Sequence, residues 1–62
     1  MPIVTIDLAE GRTVEQKREL TKMITDAIVR VFKTTPGHVT IVYRDLPREN
    51  FATAGVLLSD QK

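Results

Sequence analysis

The sequence predicts an α/β fold (in the broader sense, α+β) made of a single βαβ unit with parallel strands and a short C-terminal hairpin or strand. Three observations predict it: alternating apolar side chains over residues 2–8, a helical apolar pattern over 14–33, and a β-branched run over 39–46. Two strands joined through a helix lie parallel, with a right-handed crossover. A chain of 62 residues has room for one domain, residues 1–62.

The first strand, "PIVTIDL", has one wholly apolar face, which carries Pro2, Val4, Ile6 and Leu8. A proline is tolerated at its start because the first residue of a strand need not donate a ladder hydrogen bond. The short loop "EGRT" follows the strand and ends at Thr13.

The helix over residues 14–33 is the clearest feature of the sequence. Thr13 is a helix N-cap, and Gln16 three residues later completes a capping box. Apolar side chains at three- and four-residue spacing predict a core-facing stripe, and we expect even Met23 and Phe32 to be core residues. The stripe consists of Leu20, Met23, Ile24, Ala27, Ile28, Val31 and Phe32. Pro36 ends the helix because it biases the residue before it away from helical angles.

The second strand, "VTIVYRDL", is predicted from its β-branched residues. The segment "PRENFATAG" is turn-like, and the tail "VLLSDQK" predicts a last strand or a frayed end. Two parallel strands under one helix leave both sheet edges open and one sheet face bare. The chain has no cysteine and one histidine, His38, so disulfides and metal sites are not expected to stabilise its small core. We therefore expect the chain to associate with copies of itself.

Charge and hydropathy exclude several classes of protein. Nine basic against eight acidic residues give a net charge of +1, and the basic residues do not form a run. The sequence also has only three aromatic residues, whereas a nucleic-acid-binding face usually combines basic with aromatic side chains, so a nucleic-acid partner is not expected. No apolar stretch approaches the roughly 18 residues of a membrane span, and no signal peptide opens the chain, so we expect no membrane and a cytoplasmic location.

Pro2 and Arg12 are the candidate catalytic residues. Pro2 on its own is most simply a strand opener, but removal of Met1 would leave a secondary amine at the chain terminus. An α-amino group has a pKa of about 7.7–8.0, so a small downward shift would make it a general base at neutral pH. Arg12, in the loop before the helix N-terminus, is either a solvated arginine or an anion-binding group. A base and an anion-binding arginine suffice for proton abstraction next to a carbonyl.

The opening "MPIVTIDLAEGRT", the following "EQKREL" and the later "ENFATAG" resemble the 4-oxalocrotonate tautomerase family. The resemblance covers essentially the whole chain, and the length is that of the short-subunit members. It implies a tautomerase domain that ketonises 2-hydroxydienoate or enolpyruvate-type carboxylates, such as 2-hydroxymuconate or phenylenolpyruvate, in the breakdown of aromatic compounds. It also implies that no cofactor and no metal take part.

The resemblance further assigns roles to three residues. Met1 is removed, and Pro2 moves a proton within the enol or dienol substrate. Arg12 binds the substrate carboxylate, and Phe51 forms an apolar wall that lowers the pKa of the proline amine. The βαβ units pair into dimers, and three dimers form a homohexamer whose active sites lie between subunits.

The sequence departs from the family pattern at Thr40, where the best-known members carry a second arginine that grips the far end of a dicarboxylate. Arg44 on the same strand face is about 13 Å away and Arg48 is a loose candidate, although both are more simply solvated arginines. Dicarboxylate specificity is therefore in doubt, whereas monocarboxylate enols fit. Thr53 stands where related dehalogenases need an acid, which argues against hydrolytic dehalogenation.

An alternative function follows from the same departure. The chain could be a non-catalytic or partner-dependent subunit of a hetero-oligomeric tautomerase, with the absent arginine supplied by a partner chain. His38 has neither a base nor a nucleophile to work with, so a solvated or capping role is expected for it.

Overall fold

The computed structural model describes residues 1–61. The chain forms one long helix, two long strands and a short C-terminal strand pair: β1 (Ile3–Ala9), α1 (Val14–Phe32), β2 (Thr40–Leu46), β3 (Ala52–Thr53) and β4 (Val56–Leu57). Single turns of 3-10 helix lie at Pro36–His38, Arg48–Asn50 and Leu58–Asp60. The βαβ prediction is confirmed, and each predicted boundary of the three main elements lies within one residue of the observed one.

β1 and β2 form a parallel two-stranded sheet, in register from Ile3 opposite Thr40 to Ala9 opposite Leu46. Two further backbone bonds extend this ladder at its ends. The Thr40 N–H donates to the Pro2 carbonyl at 3.0 Å, and the Glu10 N–H donates to the Leu46 carbonyl at 3.0 Å. The amino ends of both strands therefore lie together, as do their carboxyl ends.

The predicted capping box starts α1. The Gln16 N–H donates to the Thr13 hydroxyl at 3.1 Å, and the Thr13 N–H donates to the Gln16 side-chain oxygen at 2.9 Å. At the other end, Lys33 adopts a left-handed conformation with φ of 55° and closes the helix by donating its N–H to the Val29 carbonyl. Pro36 follows this cap, where a proline can no longer interrupt helical hydrogen bonds.

The helix packs on one face of the sheet through apolar and polar contacts. Alternate residues of β1 are half-buried on this face, as the period-two pattern predicts: Val4, Ile6 and Leu8. Tyr43 of β2 places its hydroxyl 2.6 Å from the Thr21 hydroxyl and donates to the Lys17 carbonyl at 3.3 Å. The Lys17 ammonium also binds the Asp45 carboxylate at 2.6 Å. Tyr43 and Asp45 therefore attach β2 to the first half of α1.

The single chain does not enclose a core, because none of residues 1–61 is fully buried. Its surface of 4945 Å² exceeds the about 4,000 Å² expected for a compact protein of this mass. Its radius of gyration, 14.8 Å, likewise exceeds the about 11 Å of a compact chain of this length. Met23 is 63% and Phe32 65% exposed, so the prediction that both are core residues is wrong for the isolated chain.

Two groups of exposed apolar side chains lie on the main helix and sheet. Ile3 and Val42, on the sheet face opposite α1, are 67% and 41% exposed. Leu20, Met23 and Val31 recur along a side of α1 that the sheet does not cover. Patches of this kind on a small chain indicate surfaces that another chain covers. Among residues 1–61, no helix has the length and apolar character needed to cross a membrane.

The C-terminal segment is a tight hairpin. Thr53 pairs with Val56, so the turn between β3 and β4 consists of Ala54 and Gly55, with φ of 54° and 81°. Positive φ at both positions defines the turn that best matches the twist of a two-residue hairpin. Glycine adopts this conformation freely, whereas an alanine is strained in it by about 1–2 kcal/mol.

Replacing Ala54 by glycine should therefore stabilise the protein. We expect Ala54→Gly to raise the free energy of unfolding by about 0.5–1 kcal/mol, since the strain relieved exceeds the entropy that glycine adds to the unfolded chain. Urea unfolding at constant protein concentration measures it. Ala52→Gly is the matched control: the same change in the extended β3 should destabilise. Equal effects of the two substitutions would contradict the strained turn.

Candidate active site

Pro2 lies at the amino end of the sheet. It is half-buried, and its carbonyl accepts the Thr40 N–H at 3.0 Å, which ties it to the start of β2. Met1 before it is 82% exposed, so the bond that joins the two residues is open to an aminopeptidase. While Met1 is attached, the Pro2 nitrogen is an amide and has no lone pair available to accept a proton.

Arg12 lies beyond the opposite, carboxyl end of β1, in the loop that leads into α1. Gly11 before it has φ of 127°, a conformation that side chains rarely adopt, and Thr13 after it is fixed by the capping box. The capping box therefore fixes the loop on the helix side of Arg12. Within residues 1–61, Arg12 is exposed and no carboxylate lies within 4.0 Å of its guanidinium, so its charge is available to an anion.

A hollow of about 170 Å³ adjoins this loop, between the end of β1 and the first turns of α1. Its walls consist of Leu8, Arg12, Gln16, Lys17 and Leu20. Two larger depressions lie on the outer surface of α1, and neither includes Pro2, Arg12 or Phe51. The hollow is therefore the concave feature that contains a predicted site residue, with one exposed cation against apolar walls.

One chain does not bring Pro2 and Arg12 together. β1 has seven residues and separates them, which places the two at least about 20 Å apart. A substrate carboxylate on Arg12 is therefore out of reach of the proline of the same chain.

Phe51 lies beyond the carboxyl end of β2, after the turn Arg48–Asn50. It is half-buried, and its carbonyl accepts the Leu58 N–H at 3.0 Å, so it closes the C-terminal segment on itself. Its backbone belongs to the part of the chain that packs mainly against itself.

No arginine of the same chain takes the place of the one absent at Thr40. Thr40 is exposed at the start of β2, opposite Ile3. Arg44 is bound to Asp7 across the sheet, with 3.1 Å between Nε and Oδ1. Arg48 is exposed in the turn after β2. The residues that adjoin Pro2 in the ladder, Ile3 and Thr40, thus have neutral side chains.

His38 is exposed, and its Nδ1 lies 3.1 Å from the Thr34 hydroxyl. This side-chain hydrogen bond bridges the end of α1 and the turn before β2, and of the two roles expected for His38 its exposure agrees with the solvated one. In the part of the chain that the structure describes, no group of three or more His, Cys, Asp or Glu side chains could hold a metal ion.

Lys17 is the residue of the hollow that sequence reasoning missed. It belongs to the polar pattern of the helix, which predicts a solvated side chain. In the structure it is only 24% exposed, because it binds Asp45, 28 residues later. Nothing in the sequence marks this pair, since it depends on how α1 crosses β2.

A βαβ chain of this size, with a proline before its first strand and an unpaired arginine beyond it, has the features from which the sequence predicted an isomerase of enol and keto forms. A family model for tautomerase enzymes matches residues 2–61. The chain belongs to the tautomerase family, and it is an isomerase that interconverts keto and enol groups.

Relatives of known name support this assignment. The chain is 36% identical over 61 residues to a probable tautomerase of Halalkalibacterium halodurans, and the matched region covers 98% of this chain and 100% of that protein. It is 34% identical over 62 residues to the 2-hydroxymuconate tautomerase of Bacillus subtilis, across the full length of both.

Solved structures show the same fold. A homologue of 4-oxalocrotonate tautomerase superposes with a TM-score of 0.95 at 32% identity, covering 100% of this chain and 98% of the other. A structure from work on the 4-oxalocrotonate tautomerase isozymes of Methylibium petroleiphilum gives 0.87 at 43% identity, covering 94% and 91%.

Proposed function

We propose that this enzyme ketonises enol or dienol carboxylates without a cofactor, with Pro2 as general base once Met1 has been removed. The observation that carries the proposal is the position of Pro2 in a tautomerase-family chain: half-buried, next to an exposed terminus, and fixed by the Thr40 N–H. The proline ring leaves few directions for the lone pair of its amine, which favours a defined proton transfer.

The reaction needs one proton to move over a short path. The Pro2 amine takes the proton of the enol hydroxyl, the electrons shift along the conjugated chain, and the same amine returns the proton to carbon. Arg12 binds the carboxylate and stabilises the negative charge that develops on the substrate. Phe51 excludes water from the amine, and this desolvation favours its neutral, basic form.

The site requires more than one chain, because β1 holds Pro2 and Arg12 apart within each. We propose a homo-oligomer, built from dimers and comprising three of them, in which the Arg12 of one subunit approaches the Pro2 of another. The exposed apolar side chains of α1 and of the sheet support association. Burying them also provides the core that the single chain lacks.

The preferred substrate carries one carboxylate. Thr40 and Ile3 near Pro2 are neutral, and Arg44 is bound to Asp7. A phenylenolpyruvate-type enol, whose far end is apolar, fits these surroundings better than 2-hydroxymuconate. Activity on both remains compatible with the family, since the Bacillus subtilis relative is named a 2-hydroxymuconate tautomerase.

Replacement of Pro2 should lower the activity without removing the terminal amine. We expect Pro2→Ala, which puts a freely rotating primary amine in place of the ring-fixed secondary amine, to lower kcat/KM by about 10–100-fold through misplacement of the base. Ketonisation of phenylenolpyruvate and of 2-hydroxymuconate, followed by absorbance, measures it, and intact mass establishes that Met1 is absent. Pro36→Ala is the matched control and should stay within about twofold, because Pro36 lies in a surface turn. If wild-type protein that has lost Met1 is inactive on both substrates, the proposal is wrong.

Arg12 should act mainly on carboxylate binding. Arg12→Gln should raise KM by about 10–100-fold, which corresponds to the loss of one charged hydrogen-bonding partner. Arg18→Gln removes the same charge from the exposed side of α1, where Arg18 pairs with Glu15, and should leave KM unchanged. If both substitutions change KM equally, Arg12 does not bind the carboxylate directly and contributes only to the overall electrostatic attraction of the anionic substrate.

A mixing experiment tests whether active sites form between chains. Pro2→Ala and Arg12→Gln chains, each weakly active alone, are unfolded, mixed in equal amounts and refolded together. Random assembly should restore about a quarter of wild-type activity, because half of the prolines and half of the arginines are intact. No recovery, with mixed oligomers present by native mass spectrometry, would place each site within one chain.

The alternative, a subunit that needs a different partner chain, is decided by the same preparations. Activity of the purified homo-oligomer excludes it as the main role. A processed, assembled and inactive protein that gains activity with a co-purified homologous chain would establish it.

A further inference from the structure

Asp45 binds a second cationic residue that lies next to Arg12. The hollow at Arg12 has a second cationic residue in its wall, Lys17. The Lys17 ammonium lies 2.6 Å from the Asp45 carboxylate and 5.9 Å from the centre of the Tyr43 ring. Asp45 is not part of the wall, so this bond joins the ammonium of a wall residue to a carboxylate of β2.

The pair is close enough to the hollow to matter. In the parallel sheet Asp45 lies opposite Leu8, which is itself a wall residue. The side chains of Lys17 and Asp45 are 24% and 39% exposed, so water screens them less than the other ion pairs of α1. Two opposite charges there nearly cancel, which leaves Arg12 as the one unpaired cation of the wall.

We propose that Asp45 is a specificity-determining residue: by holding Lys17, it fits the Arg12 hollow to a head group with a single negative charge. Without the Asp45 charge, Lys17 becomes a second available cation on the same hollow. The hollow then favours head groups with two neighbouring negative charges, such as a malonate-type dicarboxylate. This inference deepens the proposed function and rests on it.

The test compares malonate with acetate as a dianion and a monoanion of similar size. Their dissociation constants are measured on the processed oligomer by NMR, from the shifts of the Gly11 and Thr13 amides, and their inhibition constants from phenylenolpyruvate ketonisation. Asp45→Asn should tighten malonate about fivefold relative to acetate, the effect of one added unit charge at short range in water. Lys17→Gln leaves the Asp45 charge uncompensated and should weaken malonate by a similar factor.

Two further variants separate this role from a merely structural one. On the exposed side of α1, the Lys22 ammonium lies 2.9 Å from the Asp26 carboxylate. Asp26→Asn frees Lys22 in the same way, but outside the wall of the hollow, and should leave the ratio of malonate to acetate affinity unchanged. The double variant Asp45→Asn with Lys17→Gln should return the ratio to the wild-type value, because it removes both charges of the pair together and leaves the local net charge unchanged.

Each outcome decides the proposal. An unchanged ratio in folded Asp45→Asn protein, or a changed ratio that persists in the double variant, overturns it. If Asp45→Asn fails to fold, the Lys17→Gln variant decides alone. Absence of ketonisation by the wild-type enzyme overturns the proposed function instead, and the NMR titrations still decide the role of Asp45.

Discussion

Burial of apolar surface is the constraint on which this molecule depends, because a single chain cannot satisfy it. Two strands and one helix produce a helix–sheet contact that leaves every side chain of residues 1–61 at least partly exposed. Much of the remaining apolar surface lies on the open sheet face and on the far side of α1. We expect association with other copies of the chain to cover both surfaces, which would couple folding to assembly. The proposed division of the site between chains has the same geometric basis, since a straight strand separates its two ends.

Local signals in the sequence predicted most of the fold. Thr13 and Gln16 satisfy the first amides of α1 through their own side chains, so that helix start is encoded within four residues. Pro36 marks the helix end for an equally local reason. The period-two pattern of β1 correctly separated its half-buried apolar side from its exposed side. Met23 and Phe32 were assigned wrongly because helical periodicity shows which side of a helix is apolar, and not which chain covers that side.

The candidate site likewise has residues that the sequence identified and contacts that it did not. Pro2, Arg12 and Phe51 could be named from the sequence because the family motifs include them, and their roles remain predictions. The pairing of Lys17 with Asp45 could not be, since it joins residues far apart in the sequence and depends on how the helix lies over β2. Arg44 was a candidate cation by its strand position, but its bond to Asp7 across the sheet is likewise a matter of register that the sequence does not reveal.

The hydrogen bond between Thr40 and Pro2 has a consequence for how the protein must be produced. The sheet uses only the carbonyl of Pro2, and a proline has no N–H to lose. Residues attached in front of Pro2 therefore leave the ladder intact. Under the proposed mechanism, a recombinant protein with an amino-terminal tag would fold, assemble and appear sound by circular dichroism, yet it would have no amine to act as base. Assays of folding do not report this blocked amine. The chemical identity of the first residue is what distinguishes the active enzyme from the folded but inactive one.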